Sequence, residues 1–375
     1  MTERLGVGII GCGNISAAYM QLGPMFRGIE IRACADLNLE AAQARADEFG
    51  IAATSVDDLL ARDDIDIVVN LTIPAAHHGV SSAVLDAGKH VYSEKPFVLS
   101  AEEGAALVAK ADAAALRVGS APDTFLGGSH QLARHIIDEG AIGQVTSGIA
   151  SVQSRGMESW HPNPDFFFLP GAGPVLDIGP YYISNLVQLI GPVKSVQALT
   201  ATPQATRTIG SGPRAGEIVP VKTPTTIHAL LEFHTGAAIT LIASWDVWAH
   251  DLPRMELYGA DGMMSVPDPN FFGGDVRLTK GGDAVPVPNW DHPFSVPNFG
   301  ASNEHANYRA AGLADMALAI QDGRDHRCSA AFAHHIVDVM TGILKAGETG
   351  HPVTLSTTCD RPAPLDAVDA RALMC

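Results

Sequence analysis

Over the first third of the chain, apolar side chains come in short unbroken runs separated by Ala-rich stretches with helical spacing. The runs are residues 4–10, 29–35, 65–71, 89–93 and 116–121, and such continuous apolarity predicts strands buried on both faces. The stretches 14–27, 38–49, 75–87 and 100–115 predict helices, with Gly50 and Gly88 as stops. Strands alternating with helices at this spacing imply right-handed crossovers and a doubly wound parallel sheet.

After about residue 122 the pattern changes. One helix is predicted over 129–139, followed by strands at 145–154, 193–202, 225–233, 237–245, 254–258 and 276–279. The turn at 233–237 makes two of them a hairpin, and loops rich in Pro and Gly cover 203–224 and 267–300. Helices return at 304–322 and 329–346. Consecutive strands without helices between them predict an α+β domain with an open, mainly antiparallel sheet. The chain is therefore read as an α/β doubly wound domain at 1–122 and an α+β substrate-binding and oligomerisation domain at 123–375.

Composition mainly excludes. With 41 acidic and 24 basic residues, the net charge of −17 speaks against a nucleic-acid partner, which needs a clustered basic face. No stretch approaches the roughly 18 apolar residues of a membrane helix. The opening residues read as strand, turn and helix, not as a secretory signal. Cys12, Cys34, Cys328, Cys359 and Cys375 are scattered without a C-x-x-C pair, which suits a reducing, cytoplasmic setting. His77-His78 and His334-His335 lack ligand spacing, so no metal is expected.

Gly11-Cys-Gly13-Asn14-Ile15-Ser16 lies between the first predicted strand and helix, where a phosphate loop belongs. Gly11 permits the tight turn, Gly13 the approach of a pyrophosphate, and the helix N-terminus offers free N–H groups at Asn14 and Ile15. Ser16 replaces the usual third glycine but is small enough for close helix–strand contact. Asp36 ends the second strand about 20 residues on, where an acid meets ribose hydroxyls. Leu37 and Asn38 bring no cation for a further phosphate, so NAD is favoured over NADP.

Glu94-Lys95-Pro96 follows the fifth strand at its C-terminal end, where ligands bind in open α/β sheets. Together with Gly11-Cys-Gly-Asn14, Asp36, Thr72-Ile-Pro-Ala-Ala-His77 and Ala87-Gly-Lys-His-Val91, it resembles the Gfo/Idh/MocA oxidoreductases over nearly the whole chain. That resemblance implies a Rossmann domain joined to an open-faced sheet domain. It also implies cofactor contacts at Thr72, Pro74, His77, Glu94 and Lys95. Many members carry Asp-x-Gly-x-His-x-x-Asp in the second half. Here Asp177 and Gly179 match, Tyr181 stands for the histidine and Ser184 for the last acid. A tyrosine there resembles the branch of aldose and dihydrodiol dehydrogenases and points away from cyclitols.

Alcohol oxidation removes a hydride from carbon and a proton from oxygen. Tyrosine ordinarily ionises near about pH 10, so a neighbouring ammonium is needed to favour the phenolate. Tyr181 is accordingly assigned as acid/base, Lys95 as its electrostatic partner and Asp177 as the group that orients them, with the first two roles exchangeable. His161 and Asn163, in a Pro-punctuated aromatic loop, join Lys95, Asp177 and Tyr181 as expected substrate contacts. His305, Asn307 and Arg309 are read as a solvated helix end, and Trp245 and Trp248 as rim or core. The expected activity is NAD(P)-dependent hydride transfer at a hydroxyl-bearing carbon of a sugar or polyol, in a homodimer or homotetramer with no nucleic-acid or membrane partner. An NAD-dependent glycosidase using transient oxidation and a non-catalytic sugar or nucleotide sensor remain as alternatives.

Overall fold

The computed structural model describes residues 4–298 and 306–375. Its first half holds β1 (Leu5–Ile10), α1 (Asn14–Leu22), β2 (Ile29–Ala35), α2 (Leu39–Phe49), β3 (Ala52–Thr54) and α3 (Val56–Ala61). It continues with β4 (Ile67–Asn70), α4 (His77–Asp86), β5 (His90–Ser93), α5 (Ala101–Ala114) and β6 (Val118–Ser120). All six strands are parallel in the order β3-β2-β1-β4-β5-β6, a doubly wound sheet as expected. The helix predicted over 14–27 stops at Leu22, because Gly23-Pro24 starts a separate short turn. Asn38 caps α2 through Glu40 N, and Gly50 closes it at φ +68°. The sequence reading passed over β3 and α3.

The second half contains α6 (Gly128–Asp138), β7 (Val145–Gln153), α7 (Pro174–Asp177) and α8 (Gly179–Ile190). Then come β8 (Val193–Ala201), β9 (Thr206–Thr208), β10 (Ile218–Pro220), β11 (Thr226–Phe233), β12 (Ala238–Ser244), β13 (Met255–Gly259) and β14 (Met263–Val266). The chain ends with β15 (Arg277–Lys280), β16 (Asp283–Val285), α9 (Ala311–Asp322), α10 (Ala330–Thr349), β17 (Val353–Thr354) and α11 (Ala367–Leu373). Nine strands form one sheet in the order β16-β15-β14-β13-β7-β12-β11-β8-β17. It is antiparallel throughout, apart from the parallel β7–β12 pair.

Alternation along β11 sets the two faces of this sheet: Ile227, Ala229, Leu231 and Phe233 point inward, while His228, Leu230 and Glu232 face out. The inner face packs on α10, which in turn packs on α8, and all twelve residues of α8 are buried. Each large apolar side chain taken from water there contributes about 1.5–3 kcal/mol. The C-terminal elements return to the first sheet: Ser120 N donates to Cys328 O, Arg27 N to Leu373 O, and Phe26 bridges Met374. The helix predicted from 304 begins instead at Ala311, after Ala310 takes a left-handed φ of +82°. That correction matters for the site, since the segment before α9 enters the interface between the halves. His305 lies outside the described residues.

Candidate active site

The phosphate-loop geometry starts at the end of β1. Gly11 adopts φ +103°, and a Cβ on it would lie 2.6 Å from Leu71 O, so only glycine fits this turn. A Cβ on Gly13 would meet nothing within 4 Å. No contact within the protein demands glycine there, and its bare backbone leaves room for an incoming group. Gly13 is also the N-cap of α1, and no side chain caps that helix end. The first N–H groups, at Asn14 and Ile15, thus border an open space, the arrangement that receives phosphate. Ser16 turns its hydroxyl back to Gly13 O at 2.6 Å and is itself fully buried.

Asp36 ties this loop to the end of β2, accepting Cys12 N at 2.7 Å and Asn38 N at 2.8 Å. The next residue, Leu37, is 98% exposed, and Arg45 on α2 is held by Glu48. An open glycine turn, an uncapped helix end and a carboxylate beside them fit a dinucleotide.

Asn70 ends β4 and organises the second loop. It accepts from the Thr72 hydroxyl at 2.6 Å and donates to His77 O and Ser81 Oγ. His77 is buried, with Nδ1 2.7 Å from Pro96 O and Nε2 2.9 Å from Thr72 O. It therefore fastens the Thr72–Pro74 loop to the Lys95–Pro96 loop from behind, while Thr72 and Pro74 remain partly open.

Lys95 follows β5, and Asp177 and Tyr181 sit at the junction of α7 and α8, one helical turn apart and so on one face. Lys95 Nζ donates to both Asp177 Oδ1 and Asp177 O at 2.8 Å and stands 5.4 Å from the Tyr181 ring centroid. The Lys95 and Asp177 side chains are only 18% and 19% exposed. Burial alone would push the Lys95 ammonium down, but the Asp177 carboxylate and the Tyr181 phenol outweigh it and hold it above the usual lysine range. The three residues come together across the two halves.

Three further charged residues lie near them: Glu94, expected as a cofactor contact, and Arg309 and Asp123, which sequence reasoning did not assign to the site. Glu94 is buried, and Oε1 accepts Arg309 at 2.7 Å and the Tyr19 hydroxyl at 3.0 Å, while Oε2 accepts Lys95 N at 2.9 Å. Burial would raise the Glu94 carboxyl, but Arg309 and Lys95 more than offset it. Arg309, read from sequence as a solvated helix end, has a side chain only 14% exposed. Beside it, Asp123 Oδ2 accepts Gly312 N at 3.1 Å, and burial pushes this carboxyl up to about 6 against the pull of Arg309. Both Arg309 and Asp123 lie in loops with no periodicity. The one available signal was the place of Asp123 just past β6, at the ligand edge of the sheet.

The loop before α7 carries the other two expected substrate contacts. His161 makes edge contacts with the rings of Trp160, Phe166 and Phe167, and Asn163 is exposed with its N–H donated to His161 Nδ1. Among the described residues, none of their hydrogen bonds or ring contacts reaches Lys95, Asp177 or Tyr181. The loop is anchored by Arg207 of β9, buried between Glu158 and Asp246, the latter also accepting the Thr225 and Thr226 hydroxyls. Trp245 belongs to a small core with Phe168, Ile209 and Val219, whereas Trp248 is 81% exposed. No group of three metal-binding side chains occurs among the described residues, and no described helix is long and apolar enough to cross a membrane.

Comparison with known proteins follows this geometry. An uncharacterised oxidoreductase of Schizosaccharomyces pombe is 32% identical over 176 residues, 45% of this chain and 47% of that protein. Levoglucosan dehydrogenase of Pseudarthrobacter phenanthrenivorans is 27% identical over 288 residues, 69% of this chain and 73% of that protein. A solved levoglucosan dehydrogenase in complex with NADH and L-sorbose shares the fold at a TM-score of 0.78 and 22% identity, covering 95% of this chain and 100% of that one. The chain spans about half the length of several of the curated relatives it matches. Residues 5–121 match the oxidoreductase family, NAD-binding Rossmann fold, and residues 130–265 match the GFO/IDH/MocA C-terminal domain. The chain therefore belongs to the Gfo/Idh/MocA family of NAD-binding oxidoreductases.

Proposed function

We propose that this protein interconverts an alcohol and a carbonyl on a sugar, sugar derivative or polyol, using NAD(H). The observation that carries this is the meeting of Lys95, Asp177 and Tyr181 at the ligand edge of the nucleotide-binding sheet. The turn at Gly11, Gly13, Asn14 and Asp36 would hold the dinucleotide, whose nicotinamide would supply the hydride acceptor for the hydroxyl-bearing carbon. Tyr181 takes the hydroxyl proton, so both hydrogens lost by the alcohol are accounted for. Lys95, held as an ammonium by Asp177, is a donor and not a base; it hydrogen-bonds the reacting oxygen and stabilises the phenolate. This division favours Tyr181 over Lys95 as the proton acceptor. Pre-set charges of this kind act at the transition state without reorganising.

Asp36, with no cation at positions 37 and 38, supports NAD over NADP. His161 and Asn163, on the aromatic loop, supply polar groups and ring faces suited to a carbohydrate. The outward face of the open sheet exposes Leu199, Leu230 and Tyr258, which a second copy would cover in a homodimer or homotetramer.

The test is a panel of aldoses, glycosides and cyclitols followed by NADH absorbance, with NAD and NADP compared. Tyr181→Phe and Lys95→Met should each lose about 100-fold or more in kcat, with NADH affinity near that of the unaltered protein. Full activity in both variants would remove the proposed chemistry.

A further inference from the structure

Arg309 reaches from the segment before α9 into the nucleotide-binding half and ends 2.7 Å from Glu94 Oε1. Both Glu94 oxygens are engaged: the Tyr19 hydroxyl shares Oε1, and Oε2 accepts the main-chain N–H of Lys95. The chain of contacts Arg309–Glu94–Lys95–Asp177 thus alternates in charge and reaches the Tyr181 ring through Lys95, whose Nζ lies 5.4 Å from the ring centroid. Burial works against the Arg309 charge, but Glu94 and Tyr181 hold it firmly positive, as Asp177 and Tyr181 do for Lys95. Deleting Arg309 therefore leaves the buried Glu94 carboxylate without its cation, next to Lys95.

We propose that Arg309 is a positioning residue for the Tyr181–Lys95 pair: it anchors Glu94, which fixes the Lys95 backbone, and it neutralises the Glu94 carboxylate beside that pair. This rests on Tyr181 being the acid/base. Lys95, from the loop after β5, stands over the Tyr181 ring, with Asp177 of the preceding turn on its ammonium, Glu94 on its main-chain N–H and Arg309 on Glu94. Asp123, pushed up to about 6 by burial, adjoins Arg309, so the titrations belong above about pH 7, where it is already ionised.

A direct readout exists without any substrate. In a phenolate absorbance titration of the full chain, which holds six tyrosines, the step lost in Tyr181→Phe identifies that residue. In Arg309→Met that step should move up by about one pH unit or more, and Arg309→Lys should recover part of the change. Glu94→Gln removes the competing anion and should move the step down. With any substrate found in the panel, the pH profile of kcat/KM for oxidation should move in the same directions. If Arg309→Met fails to fold, the Arg309→Lys and Glu94→Gln pair still decides by the opposite signs of their shifts. A step that stays in place in these variants, with only melting temperature reduced, overturns the proposal and leaves Arg309 a packing residue. Full activity of Tyr181→Phe would instead remove the underlying acid/base assignment, and the titration would still report whether Arg309 acts on the phenol.

Discussion

Asp36 has two duties that a single substitution separates poorly and a pair of nucleotides separates well. Its carboxylate holds Cys12 N and Asn38 N, and so shapes the turn that carries Gly13. Its charge would also repel a phosphate on the neighbouring ribose. Asp36→Ala should weaken NADH by about tenfold, on the order of 1.4 kcal/mol, and weaken NADPH less. Fluorescence titration of both nucleotides reads the ratio, and an unchanged ratio would take Asp36 out of the ribose site. At this scale the sequence was informative where chemistry and spacing coincide, as at Gly11, Asp36, Lys95, Asp177 and Tyr181. It misread Arg309 as solvated and was silent on Asp123, because their places arise from a contact between positions 215 residues apart in sequence, Glu94 and Arg309, and from burial that no local pattern records.

Among elements, α8 shows why periodicity can hide a helix. Every residue from Gly179 to Ile190 is buried between the open sheet, α10 and the first half, so no polar face marks it. β3 escaped for the opposite reason, as Ala-Ala-Thr is too short and too small to form a recognisable apolar run. Strands with a wetted face, such as β8 and β11, were legible to within a residue or two because their side chains alternate. The layer assignment predicts unequal costs. Leu186→Ala, in the middle of α8, should lose about 2–5 kcal/mol, whereas Gln197→Ala, on the outward face of β8, should change stability by about 0.5 kcal/mol or less. Equal shifts of the denaturant midpoint in both would show that α8 is not the buried layer.

The molecule as a whole keeps four histidines neutral in its interior. Burial pushes His130, His292, His326 and His335 down to about 4. His335 shows the cause in its contacts, since Nε2 accepts Val193 N and Nδ1 is left to donate to the Thr357 hydroxyl. An unfolded histidine takes up a proton near about pH 6.5. The stability these residues give is therefore complete above that pH and is lost as the pH falls through 6.5 toward the folded values, by at most roughly 3 kcal/mol each. Urea unfolding at graded pH should show this decline, and His335→Gln should make it shallower. A slope identical to the unaltered protein's would mean that His335 is not held neutral.

The parallel pairing of β7 with β12 has a further consequence. Gln153 lies opposite Ser244, so both strands release their chains at one edge, beside α7 and Asp177. The two segments that leave there, 154–173 and 245–254, start side by side from that shared edge. A lineage could rewrite those two stretches alone while Lys95, Asp177 and Tyr181, borne on the helix junction and the opposite half, kept their places.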